Sequence, residues 1–191
     1  MPIDIRPARA ADAPEIAHLH AESWRHAYAG ILDDAYLAEP VERDHRRHWR
    51  HLLADPDPSL VVLVLEEHGR LRGFVSVELE ADARWGALIE NLHVSRRAHR
   101  RGFASHLLAR AARRVAAHDP MAPVHLWVYE ENRPAIAFYE RIHGRCTGRQ
   151  TEDAPGGGRV EALRYAWSTP ARLLHAVGVR ASHERAEPRA R

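Results

Sequence analysis

The apolar positions change period several times along the chain, and each change marks an element. Ile3 and Ile5 alternate with Asp4 and Arg6 up to Pro7, which predicts a short opening strand. Ile16, Leu19, His20, Ser23, Trp24, Ala27 and Tyr28 then recur at helical spacing. Asp12 is the predicted N-cap of this helix, Pro14 and Glu15 suit its first turn, and Gly30 suits its C-terminal stop. A second helix is predicted from about Pro40 to Leu53, with Val41, Trp49, Leu52 and Leu53 inward; Asp55-Pro56-Asp57-Pro58 breaks it. A meander follows: Leu60 to Glu66, a turn at His68-Gly69-Arg70, Leu71 to Leu79, a loop over 82–86, and Ala87 to Val94. The period then shifts to about 3.6, and Phe103, Leu107, Leu108, Ala111, Ala112 and Val115 share one face of a helix ending near His118. A strand from Val124 to Val128, a short helix from about Pro134 to Ile142, Gly144, and two strands around Pro155-Gly156-Gly157-Gly158 complete the pattern. The order β-α-α-β-β-β-α-β-α-β-β predicts a single mixed α/β domain over 1–168. An Arg- and Ala-rich C-terminal tail follows at 169–191, without an apolar pattern after about Val179 and partly disordered.

Composition narrows the chemistry. With 191 residues and 45% hydrophobic positions, the chain can bury a full core without a metal or disulfide staple. Cys146 is the single cysteine, so neither a disulfide framework nor a four-cysteine zinc site is available, and no Cys-specific motif surrounds it. No apolar run is long enough to span a bilayer and the first residues are charged, so the expected location is cytoplasmic, with no membrane partner. All 28 cationic residues are arginine, which excludes a Schiff-base lysine and a P-loop lysine. The net charge of +2 is too small to argue for nucleic acid. The 15 histidines contain no His-Glu-x-x-His and are mostly interspersed with arginine on polar faces, so no metal site is expected.

Two segments carry candidate chemistry. From Glu90 to Ser105 a strand ends, a polar loop containing Gly102 follows, and an amphipathic helix begins. Amides at a helix start are unsatisfied and lie at the positive end of the macrodipole, so an anion fits there. Gly102 permits close backbone approach, Ala104 keeps the first turn small, and Arg100 and Arg101 add charge that reaches phosphate oxygens. The second segment holds Asn132, Pro134, the adjacent pair Phe138 and Tyr139, and Gly144. Asn132 falls at a helix N-terminus, and the adjacent rings point in different directions, so one can pack in the core while the other places a hydroxyl in a cleft.

Together these segments resemble the GCN5-related N-acetyltransferase (GNAT) family. The family's Gln/Arg-x-x-Gly-x-Gly/Ala motif is matched by His99-Arg100-Arg101-Gly102-Phe103-Ala104, with His99 departing from the first position. Its downstream Asn, Phe-Tyr and Gly are matched by Asn132, Phe138, Tyr139 and Gly144, and the resemblance spans roughly residues 3 to 168. The resemblance implies a mostly antiparallel sheet with a splayed central strand pair, flanked by helices. It implies acetyl-CoA as co-substrate, with Leu92, His93 and Val94 on the pantetheine arm and His99, Arg100, Arg101, Gly102, Phe103, Ala104 and Ser105 at the pyrophosphate. Asn132 would lie on the pantetheine or acceptor side, Tyr139 would be the acid for the departing thiolate, and the Val94 N–H the oxyanion donor.

For the base, Glu90 is favoured because period two places it on one face with Leu92 and Val94; Glu78 is the alternative. Trp24 and Tyr28, four apart, share a helix face and can wall an acceptor pocket, near which Glu78, Glu90, Asp33 and Asp34 can attract a cationic amine. The expected reaction is transfer of acetyl from acetyl-CoA to a primary amine of a small molecule, by direct attack in a ternary complex. A protein N-terminal or side-chain acetyltransferase and a non-catalytic acyl-CoA-binding module are the alternatives. Dimers are frequent in the family, so the resemblance allows a homodimer.

Overall fold

The computed structural model describes residues 3–55 and 57–178. Seven strands form one sheet: β1 (Ile3–Pro7), β2 (Leu60–Glu67), β3 (Arg70–Asp82), β4 (Gly86–Val94), β5 (Val124–Tyr129), β6 (Arg145–Asp153) and β7 (Arg159–Trp167). Six α-helices among the described residues flank it: α1 (Ala13–Ala27), α2 (Asp34–Ala38), α3 (Pro40–Ala54), α4 (Phe103–His118), α5 (Arg133–Arg141) and α6 (Pro170–Val177). The strand order is β1-β2-β3-β4-β5-β7-β6, and every neighbouring pair is antiparallel except β4–β5.

Strand β2 is buried on both faces, which is why its sequence is a continuous apolar run rather than an alternation. Leu63 and Leu65 pack with Val75, Val77, Ile89 and the stripe Leu107, Leu108, Ala111 and Val115 of α4. Val62, Val64 and Phe74 face the other way, onto Ile16 and Ala17 of α1 and Trp49 and Leu53 of α3. A third, smaller cluster joins Leu32 and Leu37 to Ala154 and Val160, with Trp24, Tyr28, Tyr36 and Tyr129 packed against it.

Three features depart from the sequence pattern. Asp12 precedes α1 but makes no side-chain cap there; its carboxylate instead takes Arg6 Nη1 at 2.7 Å and the Arg9 amide at 2.7 Å. The segment set apart as a tail begins with α6, whose Leu173 is fully buried in the α4-side core; residues 179–191 lie outside the described residues. And four histidines, His20, His45, His93 and His125, are not on polar faces: three are buried and His93 is half-buried.

Candidate active site

The parallel pair β4–β5 exists only at its start, Ala87 with Val124 and Leu88 with His125. Beyond that point β4 stays with β3 and β5 stays with β7, whose ladder runs from Val124–Trp167 to Tyr129–Ala162. A gap therefore opens in the middle of the sheet. Its β4 edge can be read from one bond, Ser95 N–H donating to the Arg72 carbonyl at 2.7 Å. In an antiparallel ladder alternate residues turn both backbone groups to the same neighbour. Following the register back through Phe74–His93 and Ser76–Asn91, His93 and Asn91 face β3. Leu92 and Val94 turn their amides and carbonyls into the gap. Of the three residues expected to line the pantetheine arm, the two outer ones thus offer backbone groups, and His93 is spent on β3.

The register also breaks: Ser76 pairs with Asn91 but Val77 pairs with Ile89, leaving Glu90 as the extra residue of a bulge. Period two fails there, so Glu90 does not share a face with Leu92 and Val94. Those two pack with Ile89 against the α4-side core. Glu90 is open to solvent on one side and crowded by protein on the others. This crowding, with repulsion from Glu78 and then Glu152, holds its carboxyl above the usual carboxylate range.

The loop after β4 leads into a helix start whose amides are free. Arg100 and Gly102 both adopt left-handed backbone, with φ of 61° and 80°. Gly102 is the N-cap of α4 and has no side chain to cap it, so the first-turn amides of Phe103, Ala104 and Ser105 are left for a ligand. His99 Nε2–H donates to the Val94 carbonyl at 3.0 Å, tying the loop to the strand end. The Arg101 guanidinium does not reach toward this site. It is paired with Glu67 through both nitrogens and lies 4.7 Å over the Phe103 ring, which leaves its backbone to contribute.

Across the gap, Asn132 caps α5, its Oδ1 accepting from the Ala135 amide at 3.3 Å. Its NH2 remains to donate, and it lies near enough to the Tyr28 hydroxyl to act on it. Burial pushes Tyr28 up to about 12 although Asn132 pulls the other way, with Glu152 adding to the rise. The Tyr139 hydroxyl is raised too, by burial and then by Tyr28, so it keeps its proton across the working pH range. Gly144 is required where it stands: a Cβ there would meet the Trp167 ring at 2.8 Å and the Tyr139 carbonyl at 3.0 Å. Trp24 and Tyr28 do share a face, edge to face at 5.2 Å, and Tyr28 also meets Tyr129 at 5.0 Å. Asp33 is spent on capping α2 through the Tyr36 amide.

Two residues of this rim escaped the sequence pattern. Tyr129 ends β5, and Glu152 lies near the end of β6; after burial, the nearby Glu152 carboxylate is the main cause of the raised Tyr129 pKa. Only the pairing of β5 and β6 with β7 brings them together. Their one visible signal is a Tyr closing a strand.

The gap with open amides on β4, the uncapped α4 terminus and the Asn132–Tyr139 helix fit a thioester carried on a phosphate-bearing arm. The comparisons agree with that geometry. The chain matches the Acetyltransferase (GNAT) family over residues 14–144, and it belongs to that family of acetyl-CoA-dependent N-acetyltransferases. It is 28% identical over 143 residues to an uncharacterised N-acetyltransferase of Bacillus subtilis, YuaI, covering 72% of this chain and 78% of that one. Its fold is similar to the PaiA N-acetyltransferase of Thermoplasma acidophilum in complex with coenzyme A. The TM-score is 0.67 at 19% identity, covering 87% of this chain and 100% of that one. NAA60 of Arabidopsis thaliana in complex with acetyl-CoA is similar at a TM-score of 0.63 and 19% identity, covering 87% and 98%. Among the described residues no helix is long and apolar enough to cross a membrane.

Proposed function

We propose that the chain transfers the acetyl group of acetyl-CoA to a primary amine of a small, cationic molecule held between α1 and the β6–β7 hairpin. The observation that carries the acceptor class is the convergence of Glu78, Glu90 and Glu152 from three strands. Glu90 feels the repulsion of both Glu78 and Glu152, and Glu152 acts as well on Tyr28 and Tyr129, which with Trp24 form an aromatic wall. Carboxylates attract and orient ammonium groups, and aromatic faces favour them further.

Acetyl-CoA supplies an activated acyl thioester; the chain supplies placement and protons. Leu92 and Val94 hold the pantetheine arm by strand addition, and the amides of Gly102 to Ser105 hold the pyrophosphate. The Val94 N–H faces the carbonyl oxygen where negative charge develops. An ammonium has no lone pair, so a proton must leave first. Glu90, with its raised pKa, takes that proton through water. Tyr139, protonated throughout, donates to the departing thiolate, and Asn132 with Tyr28 fixes the surroundings of that hydroxyl.

Thiol release from acetyl-CoA against polyamines, aminoglycosides, amino acids and short peptides tests this reading. Turnover concentrated among small amines bearing a second positive charge is the expected result. A preference for peptide N-termini or lysyl side chains would replace it with protein acetylation.

A further inference from the structure

Beyond Leu88, β4 is a strand held along one edge only, and the bulge at Glu90 weakens even that ladder. Yet this is the stretch whose Leu92 and Val94 backbone groups face the gap. Between them, His93 sends its side chain across to α1, where Nδ1 shares a hydrogen bond of 2.8 Å with Ser23 Oγ. The His93 ring also lies 5.3 Å from Phe74 and 4.4 Å from His20. His20 is itself immobilised: Trp49 Nε1–H donates to its Nδ1 at 3.1 Å, and it stacks on His45 at 3.7 Å. The contact thus joins the open strand to a clamped layer formed by α1 and α3.

We propose that His93, through Ser23, is a positioning residue for acetyl-CoA: it holds the unpaired edge of β4 at the spacing the pantetheine arm needs. The inference rests on the acetyl-CoA reading above. A ligand that adds to a strand edge must order that edge, and an edge already fixed by a side-chain anchor removes part of the cost. The phosphate end is served by a different part of the chain, the loop and first turn of α4. Loss of the anchor should therefore weaken one half of the ligand and spare the other.

Calorimetric titration of acetyl-CoA and of 3′-phospho-ADP, the nucleotide half of coenzyme A, separates these cases. Ser23→Ala removes one partner. His93→Phe keeps a ring against Phe74 and His20 but no nitrogen, and His93→Asn restores a polar atom near the place of Nδ1. Ser23→Ala and His93→Phe should each weaken acetyl-CoA about five- to tenfold, the size of one partly buried hydrogen bond, and leave 3′-phospho-ADP within about twofold. The double variant should be no weaker than His93→Phe alone, and His93→Asn should recover most of the loss. Thermal melts accompany each variant; if His93→Phe does not fold, the Ser23→Ala split decides. Equal loss for both ligands, additive losses, or no loss in folded variants would overturn the proposal. A wild-type chain that binds 3′-phospho-ADP and acetyl-CoA equally would overturn it as well. Failure of the wild type to bind either ligand would instead remove the acetyl-CoA reading itself.

Discussion

On the α4 side of the gap between β4 and β5 the cleft is made of backbone, with the amides of Leu92, Val94 and the first turn of α4 pointing inward. On the α1 side it is made of side chains, Trp24, Tyr28, Tyr129 and three carboxylates, which Asn132 and Tyr139 of α5 meet from the other side. The two materials tolerate change differently. A backbone site asks for a conformation, so His99 can stand where the family has Gln or Arg, and Arg101 can turn its guanidinium to Glu67 without emptying the loop. A side-chain site asks for particular functional groups, and each replacement removes one. The donor side should therefore be shared widely in the family, and the acceptor side should set what this chain acetylates.

Acid should separate the two sides most strongly. Burial, with His48 next, depresses His45 to about 4, while Asp44 pulls the other way and Arg25 adds to the depression. Burial and His45 take His93 down to about 3, and His20 is lowered as well, first by burial. Unfolded histidines titrate near 6.5, so their stabilising contribution is complete above that pH and is lost as pH falls toward about 4 and then about 3. For His45 alone the loss approaches roughly 3 kcal/mol by pH about 4. Glu90 works in the opposite sense, its raised pKa binding a proton sooner when folded, but it is a single group. Hydrogen exchange at pH 5 and 7.5 should show amides of α1 and α3 losing protection before those of α4; uniform loss would mean that the buried histidines do not set the acid sensitivity.

The backbone side should yield to Gly102→Val. At φ of 80° an L side chain is strained by about 1–2 kcal/mol, and relief of that strain displaces the amides that meet the anion. Acetyl-CoA affinity should fall roughly tenfold by titration calorimetry, with the acceptor KM little changed. An unchanged affinity would mean that arginine side chains, not amides, hold the phosphates.

The side-chain side should yield a smaller, more specific signal. Glu152→Gln removes a negative neighbour, favours ionised Glu90, and lowers its pKa. The acid limb of kcat/KM should move to lower pH by less than about one unit, because the pair is solvent-screened. A limb that stays in place would take the base role away from Glu90.

Much of this layout was legible in the sequence because it is local. The buried stripe of α4, the apolar run of β2, the Gly102 loop and the Asn132 to Gly144 segment are each contiguous, so periodicity and motif find them. What escaped depends on contacts between distant residues. Ser23 and His93 are 70 positions apart, and Trp49 and His20 are 29 apart, so nothing in the spacing of the histidines showed that they stack inside. The bulge that turns Glu90 off the expected face is a property of the β3–β4 pairing, where Ser76 takes Asn91 and Val77 takes Ile89. Asp12 carried the residue type of a cap, and Arg6 claimed it instead.

Acetyl transfer in this cleft needs an acid for the departing thiolate, the role proposed for Tyr139. Acceptor-dependent thiol release from acetyl-CoA, measured for the wild type and Tyr139→Phe beside their acetyl-CoA affinities, tests it most directly. The expected result is turnover by the wild type, a fall in kcat of about a hundredfold in the variant, and a retained affinity for acetyl-CoA. Equal turnover by the two proteins, or a wild type that does not bind acetyl-CoA, would contradict it.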